Sequence, residues 1–181
     1  MNNKENSKAK QQIEAAQDIV IGSITETMDL YGVTPSAANL YATMYFKDQM
    51  TLDEMREELE MSKPSMSTSV RKLQEFEMVK KTFTRGSRKH TYVAEKNFFR
   101  SFMAFYCQMW EREVKTNMEA INQSQLELSE VVEDKTASPQ DSEMAKKTYD
   151  QLEESKVYYN WLSRLVSSIR SEEIFEFLPK D

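Results

Sequence analysis

The stretch MSKPSMSTSVRKLQEFEMV, Met61 to Val79, decides the fold of this chain. Four serines, a threonine and a proline precede an Arg71–Lys72 pair, and Met66, Val70 and Leu73 recur at helical spacing. Apolar residues three and four apart mark one buried helix face. Pro64 is tolerated because the first turn of a helix has no use for its missing N–H. The spacing predicts a helix over Ser65–Glu75 with Ser65, Ser67, Thr68, Arg71 and Lys72 on its outer face. A helix made only for burial would carry larger groups in its first turns. Small hydroxyl residues instead let a backbone approach a crowded polar surface, and their oxygens bond phosphates and base edges alike.

Just upstream, Thr51 and Glu54 have the spacing of a capping box. They open a short helix, Leu52–Leu59, with Leu52, Met55 and Leu59 facing inward. Met61-Ser62-Lys63 is then a tight connection, and the pair of helices is a helix-turn-helix. Downstream, in KKTFTRGSRKHTYVAE (residues 80–95), Phe83 and Tyr92 flank the turn Arg85-Gly86-Ser87. Short β-favouring runs about a glycine turn read as a hairpin. A lone hairpin is too small to be stable, so this one leans on the helices as a wing.

Residues 1–10 are polar and read as frayed. From Gln11 to about Leu30, Ile13, Ala16, Val20, Ile24 and Thr27 predict a first helix closed by Gly32. Thr34-Pro35 opens a second, Ser36–Phe46, with Leu40, Tyr41, Met44 and Tyr45 on one side. Asn97 to Glu133 lacks proline and glycine and predicts a helix of roughly 50 Å. Its first turns, from Phe98 to Trp110, are apolar nearly all round and call for cover that includes a partner chain. DKTASPQD (134–141) reads as a loop, and a last helix is expected over Ser142–Phe177, ending at Pro179. The expected fold is mainly α with a small β-hairpin wing. It divides into a dimerising helix (1–32), a winged helix-turn-helix (33–96) and long C-terminal helices for dimerisation and effector sensing (97–181).

Three glycines and four prolines in 181 residues suit such a helical chain. With no long apolar run there is no spanning segment, and the N-terminus lacks the apolar core of a secretory signal. A single cysteine fits a reducing cytoplasm. The net charge of −6 argues against a polyanion partner until its distribution is read. Lys63–His90 holds eight basic and two acidic residues, a segment at +6, which leaves −12 on the remainder. A basic island in an acidic chain is the footprint of a local DNA site. The expected contacts to double-stranded DNA are Ser62, Lys63, Ser65, Ser67, Thr68, Arg71 and Lys72 from the helix, and Arg85, Arg88 and Lys89 from the wing.

Enzymatic patterns are missing from the sequence. His90 is a lone histidine among cations, Cys107 lies among aromatics in FYCQMW, and no glycine-rich phosphate loop exists. The acidic runs DEMREELE, SEVVEDK and SEEIFE lack the spacing and the glycine of a metal loop. The chain reads as a non-enzyme without metal or cofactor.

The order of elements resembles the MarR class of bacterial regulators. LDEMREELEMSKPSMSTSVRKLQEFEMVKKTFTRGSRKHTYVAE is similar, more narrowly, to the GbsR branch of that class. MSK at 61–63, Ser67, Arg71 and Leu73 match its recognition helix, GSRKHTY at 86–92 its wing, and EEIFEFLP at 172–179 its C-terminal signature. The chain departs from the branch at Pro64, where glycine is common, and at Phe76-Glu77, where tryptophan-glycine is common. The resemblance implies a homodimeric transcriptional repressor of glycine betaine synthesis or uptake genes that responds to choline. A quaternary ammonium ion calls for an aromatic cage, and with the resemblance in hand Tyr41, Tyr45, Phe102, Tyr106 and Trp110 become its candidates. Tyr41/Tyr45 and Phe102/Tyr106/Trp110 fall at i, i+4 spacing, although such stripes also make ordinary core. The competing readings are an aromatic-anion trigger, oxidation of Cys107, and a helical adaptor that never touches DNA.

Overall fold

The computed structural model describes residues 2–83 and 89–180, with side chains from residue 8 onward. The chain forms two compact units, Met1–Phe105 and Tyr106–Asp181. The first holds α1 (Asn2–Leu30), α2 (Pro35–Tyr45), β1 (Met50–Thr51), α3 (Leu52–Glu58), α4 (Lys63–Glu75), β2 (Val79–Phe83), β3 (His90–Ala94) and the start of α5 (Phe98–Glu133). The second holds the remainder of α5, α6 (Pro139–Arg170) and α7 (Ile174–Phe177).

In the first unit α2 is the central post. Ala37, Ala38, Leu40, Tyr41, Ala42, Thr43 and Met44 are all buried, and α1, α4 and β3 pack around it. The alanines let neighbouring helices come close, and long side chains fill what remains. Those are largely methionines: Met28, Met44, Met50, Met55, Met66 and Met78 are buried here. Unbranched thioethers fill irregular gaps between short elements.

The helix-turn-helix follows the sequence reading. Thr51 Oγ1 accepts the Glu54 N–H at 3.2 Å, and Glu54 Oε2 accepts the Thr51 N–H at 2.7 Å, completing the capping box. α4 begins at Lys63, two residues before expectation, because Ser62 caps it and Pro64 sits inside the first turn. α4 closes in a Schellman arrangement. Met78 N–H donates to the Leu73 carbonyl at 2.9 Å and Glu77 N–H to that of Gln74 at 3.1 Å. The residue in the left-handed conformation there is Glu77, at φ 59°, and Glu60 and Glu172 take the same role after α3 and α6 at φ 50° and 63°.

The sheet has three strands in the order β1-β3-β2, all antiparallel. β2 and β3 are the expected hairpin, with Val79 opposite Ala94 and Phe83 opposite His90. The turn residues Arg85, Gly86 and Arg88 lie outside the described residues. β1 was not foreseen. It is only Met50-Thr51, yet it pairs with Tyr92 and Thr91 and ties the start of α3 to the wing.

Other boundaries also differ from the reading. α1 begins at Asn2, not near Gln11, since a polar segment without breakers extends a helix as readily as an apolar one. α6 starts at Pro139 inside the expected loop, where Ser138 Oγ accepts the Asp141 N–H at 3.1 Å and proline takes the first helical position. The last helix stops at Arg170 instead of running to Phe177. Glu172 turns left-handed, and one short helical turn, α7, follows. In the second unit α5 and α6 run antiparallel. Gln125 Nε2 donates to Glu153 Oε2 at 2.9 Å, and Arg170 makes two bonds to the Glu111 carboxylate at 2.6 and 2.8 Å.

Candidate nucleic-acid interface

α4 is amphipathic in the sense the sequence predicted. Met66, Ser69, Val70 and Leu73 are buried, while Lys63, Thr68, Arg71 and Lys72 are exposed and Ser65 and Ser67 half-buried. Lys63, Ser67 and Arg71 succeed one another at i, i+4, so one outer strip of the helix carries a cation, a hydroxyl and a second cation. Ser62 Oγ accepts the Ser65 N–H at 3.4 Å and lies 3.0 Å from Ser65 Oγ, which fixes the first turn and spends part of the hydroxyl capacity locally. Lys72 is committed in two ways. Its Nζ lies 3.1 Å from Glu75 Oε2 and 4.6 Å from the centre of the Phe76 ring.

From the wing, Lys89 is exposed at the base of β3 and its Nζ lies 3.0 Å from Asp53 Oδ2. Arg85 and Arg88, the two wing arginines expected to reach DNA, fall outside the described residues. One wing feature escaped the sequence reading. Phe83 is 79% exposed, with the His90 ring edge-on at 5.6 Å and Lys81 over it at 5.7 Å. Its alternation with Lys81 along β2 is the signal that could have found it.

The aromatic candidates fall into separate settings. Tyr41 is fully buried. Its hydroxyl lies 2.9 Å from the Glu95 carbonyl and 3.0 Å from Ser101 Oγ, and its single proton serves one of them at a time. Burial pushes the phenol up to about 12, against the Ser101 hydrogen bond, which lowers it. Phe102 meets Tyr41 edge-on at 6.1 Å, and Tyr45 stacks on Phe98 at 5.0 Å and 24°. Phe98, which the sequence reading left out of the cage, thus joins Tyr45 and Phe102, lying edge-on to the latter at 5.3 Å. In the second unit Tyr106 and Trp110 stack at 5.8 Å, both half-buried. That unit also carries Tyr158 and Trp161, each 50% exposed and stacked at 6.4 Å, with the Tyr158 hydroxyl 3.5 Å from Glu113 Oε1.

Cys107 is buried, and burial pushes its thiol up, with Arg170 pulling the other way. A buried thiol of raised pKa is a poor nucleophile. An open groove of about 420 Å³ in the first unit is lined by Asp48, Lys80, Val93, Glu95 and Lys96, among others. Its charges pair off, Lys80 with Glu95 at 3.4 Å and Lys96 with Asp48 at 4.0 Å. Among the described residues no cluster of His, Cys, Asp and Glu could hold a metal ion, and no helix is long and apolar enough to cross a membrane.

Comparison with known proteins places this arrangement among regulators. The family "GbsR family transcriptional regulator, C-terminal helical hairpin" matches residues 98–176. The HTH-type transcriptional repressor GbsR of Bacillus subtilis (strain 168) is 57% identical over 167 residues, 92% of this chain and 93% of that one. The repressor OpcR of the same organism is 31% identical over 169 residues, covering 93% and 91%. A solved transcriptional regulator, 17% identical, superposes with a TM-score of 0.53 over 86% of this chain and 99% of that one, which shows the fold.

Proposed function

We propose, because the chain belongs to the GbsR family of transcriptional regulators, that it is a DNA-binding repressor acting as a two-fold dimer and answering to choline. Its relatives are transcriptional regulators, not enzymes. The single observation that carries the reading is the outer strip of α4. Lys63, Ser67 and Arg71 follow one another along the outer side of a helix capped by Ser62, in the most basic stretch of an acidic chain. Such a helix enters the major groove with its first turns, and the wing lies against the backbone beside it.

Two-fold pairing is supported by apolar surface left exposed on α1, where Ile13 is 58%, Ile19 76% and Leu30 81% exposed. A C₂ dimer buries the same patch twice and sets two reading heads over pseudo-palindromic half-sites. The regulated genes on this reading are those of glycine betaine synthesis or uptake.

The choline response is assigned to the rings: Tyr45 and Phe102, with Tyr41 behind them, in the first unit, and Tyr106 and Trp110 in the second. A quaternary ammonium ion gains roughly 0.5–2 kcal/mol per dry ring face. A ligand of equal affinity for both states switches nothing, so the rings must bind it unequally in the DNA-competent and incompetent forms. Electrophoretic mobility shift across a salt series tests the DNA reading, with affinity expected to fall steeply as counterions are displaced. Calorimetry with choline tests the effector. Tyr45→Ala and Trp110→Ala are expected to lose the response and keep DNA binding, whereas Tyr45→Phe keeps both. No heat with millimolar choline would leave these rings as core.

A further inference from the structure

β1 pairs Thr51 with Thr91. β1 ends there, and two residues on, Asp53 in the first turn of α3 meets Lys89, just ahead of β3, Nζ to Oδ2 at 3.0 Å. The neighbouring Glu54 is occupied otherwise: its carboxylate accepts the Thr51 N–H at 2.7 Å and the Thr51 hydroxyl at 2.9 Å. Asp53 takes no part in that cap. Its carboxyl is held below the usual carboxylate range by the hydrogen bond from Lys89 first, and by the charges of Lys89 and Lys63 after it. Lys63 opens α4. A carboxylate is therefore held beside cations of the reading helix and the wing, on the side of the molecule assigned to DNA.

We propose that Asp53 is an internal stand-in for a DNA phosphate, occupying Lys89 in the free protein so that the DNA backbone takes this lysine only by displacing it. The inference rests on the DNA-binding reading above. Its ligand is the phosphodiester backbone, which carries no sequence information. The competition weakens attachment to every sequence alike, and binding then depends more on what α4 reads in the groove. Displacing Asp53 also costs the complex part of its counterion release, because an ion pair is exchanged for another instead of being newly formed.

The test is a double-mutant cycle on DNA affinity, measured by fluorescence anisotropy with a labelled mixed-sequence duplex of about 30 base pairs over a salt series. Asp53→Asn is expected to bind roughly two- to fivefold more tightly at low salt, the range of an exposed ion pair. Its affinity should also fall more steeply with salt, by up to about one unit of slope per subunit. In a Lys89→Gln background the same substitution should change neither. Circular dichroism checks that all variants fold alike. Wild-type binding with an Asp53→Asn variant no tighter than wild type overturns the proposal and leaves the DNA reading standing. So does a gain that persists without Lys89, since Asp53 would then act as a diffuse negative charge. A wild-type protein that fails to bind the duplex at low salt removes the DNA reading, and this proposal with it.

Discussion

Replacing Glu77 with glycine should stabilise the protein. Glu77 sits at φ 59° immediately after α4, where Met78 N–H reaches back to the Leu73 carbonyl and both of those side chains are fully buried. A Cβ in the left-handed region costs about 1–2 kcal/mol. Glycine recovers that but gives back about 0.4–1 kcal/mol through the greater freedom of its unfolded chain. The carboxylate also stands at the negative end of α4, and removing it there returns a few tenths of a kcal/mol. The net expectation is about 1 kcal/mol of added stability, or about 2–4 °C in Tm for a chain of this size. Thermal and urea melts followed by far-UV circular dichroism measure it. Glu77→Ala separates the two causes, because it removes the charge and keeps the Cβ, and should gain only the few tenths. A glycine variant no more stable than wild type, or an alanine variant that gains as much, would refute the backbone reasoning.

Tyr41→Phe keeps the buried ring and strips the hydroxyl that lies between the Glu95 carbonyl and Ser101 Oγ, so urea unfolding should show a loss of about 1–2 kcal/mol. The Glu95 carboxyl is held low chiefly by the Asn97 N–H, with Lys80 adding to it. Its folded pKa is depressed, so its contribution is present above the unfolded carboxylate pKa and is lost as pH falls through the folded one. Glu95→Gln should therefore be less stable than wild type near neutrality and converge with it in acid melts. Ser67→Leu on the outer strip of α4 should cut DNA affinity at least about tenfold in mobility shifts and leave the melt within about 0.5 kcal/mol. Equal affinity would mean that the reading face of α4 lies elsewhere.

The capped and patterned elements were legible because their signals are local. Thr51 with Glu54 and Met66-Val70-Leu73 each specify structure within one or two turns, whereas the cap at Ser62 was read as part of the connection. β1 was not legible, since two residues carry no periodicity and its existence depends on Tyr92 and Thr91 arriving from forty residues away. The end of the last helix was misplaced for a related reason: the left-handed stop at Glu172 lacks the glycine that normally announces one. The ends of α3 and α4 were placed within a residue although Glu60 and Glu77 lack it too, because the apolar spacing stops there. Of the candidate DNA face, α4 could be read directly from its spacing. The pairing of Lys89 with Asp53 could not, because it depends on the β1–β3 pairing that brings the start of α3 beside the wing. The aromatic set shows the limit of i, i+4 reasoning. Tyr41 and Tyr45 are one turn apart, yet one is sealed in the core with its hydroxyl bonded and the other stacks on Phe98 at the half-exposed edge.

The methionine filling of the first unit has a mechanical consequence. Met28, Met44, Met50, Met55, Met66 and Met78 are sealed inside it, and each reaches its neighbours through three soft torsions where leucine or isoleucine would offer two. Small displacements of α3 and α4 can be absorbed by rotamer changes, without opening voids that a branched core could not refill. Such a core trades a little rigidity for compliance. The same thioethers are a chemical liability, because oxidation to the sulfoxide would place a polar, chiral group inside the core. Methionine methyl resonances would register both effects, broadening with compliance and shifting on oxidation.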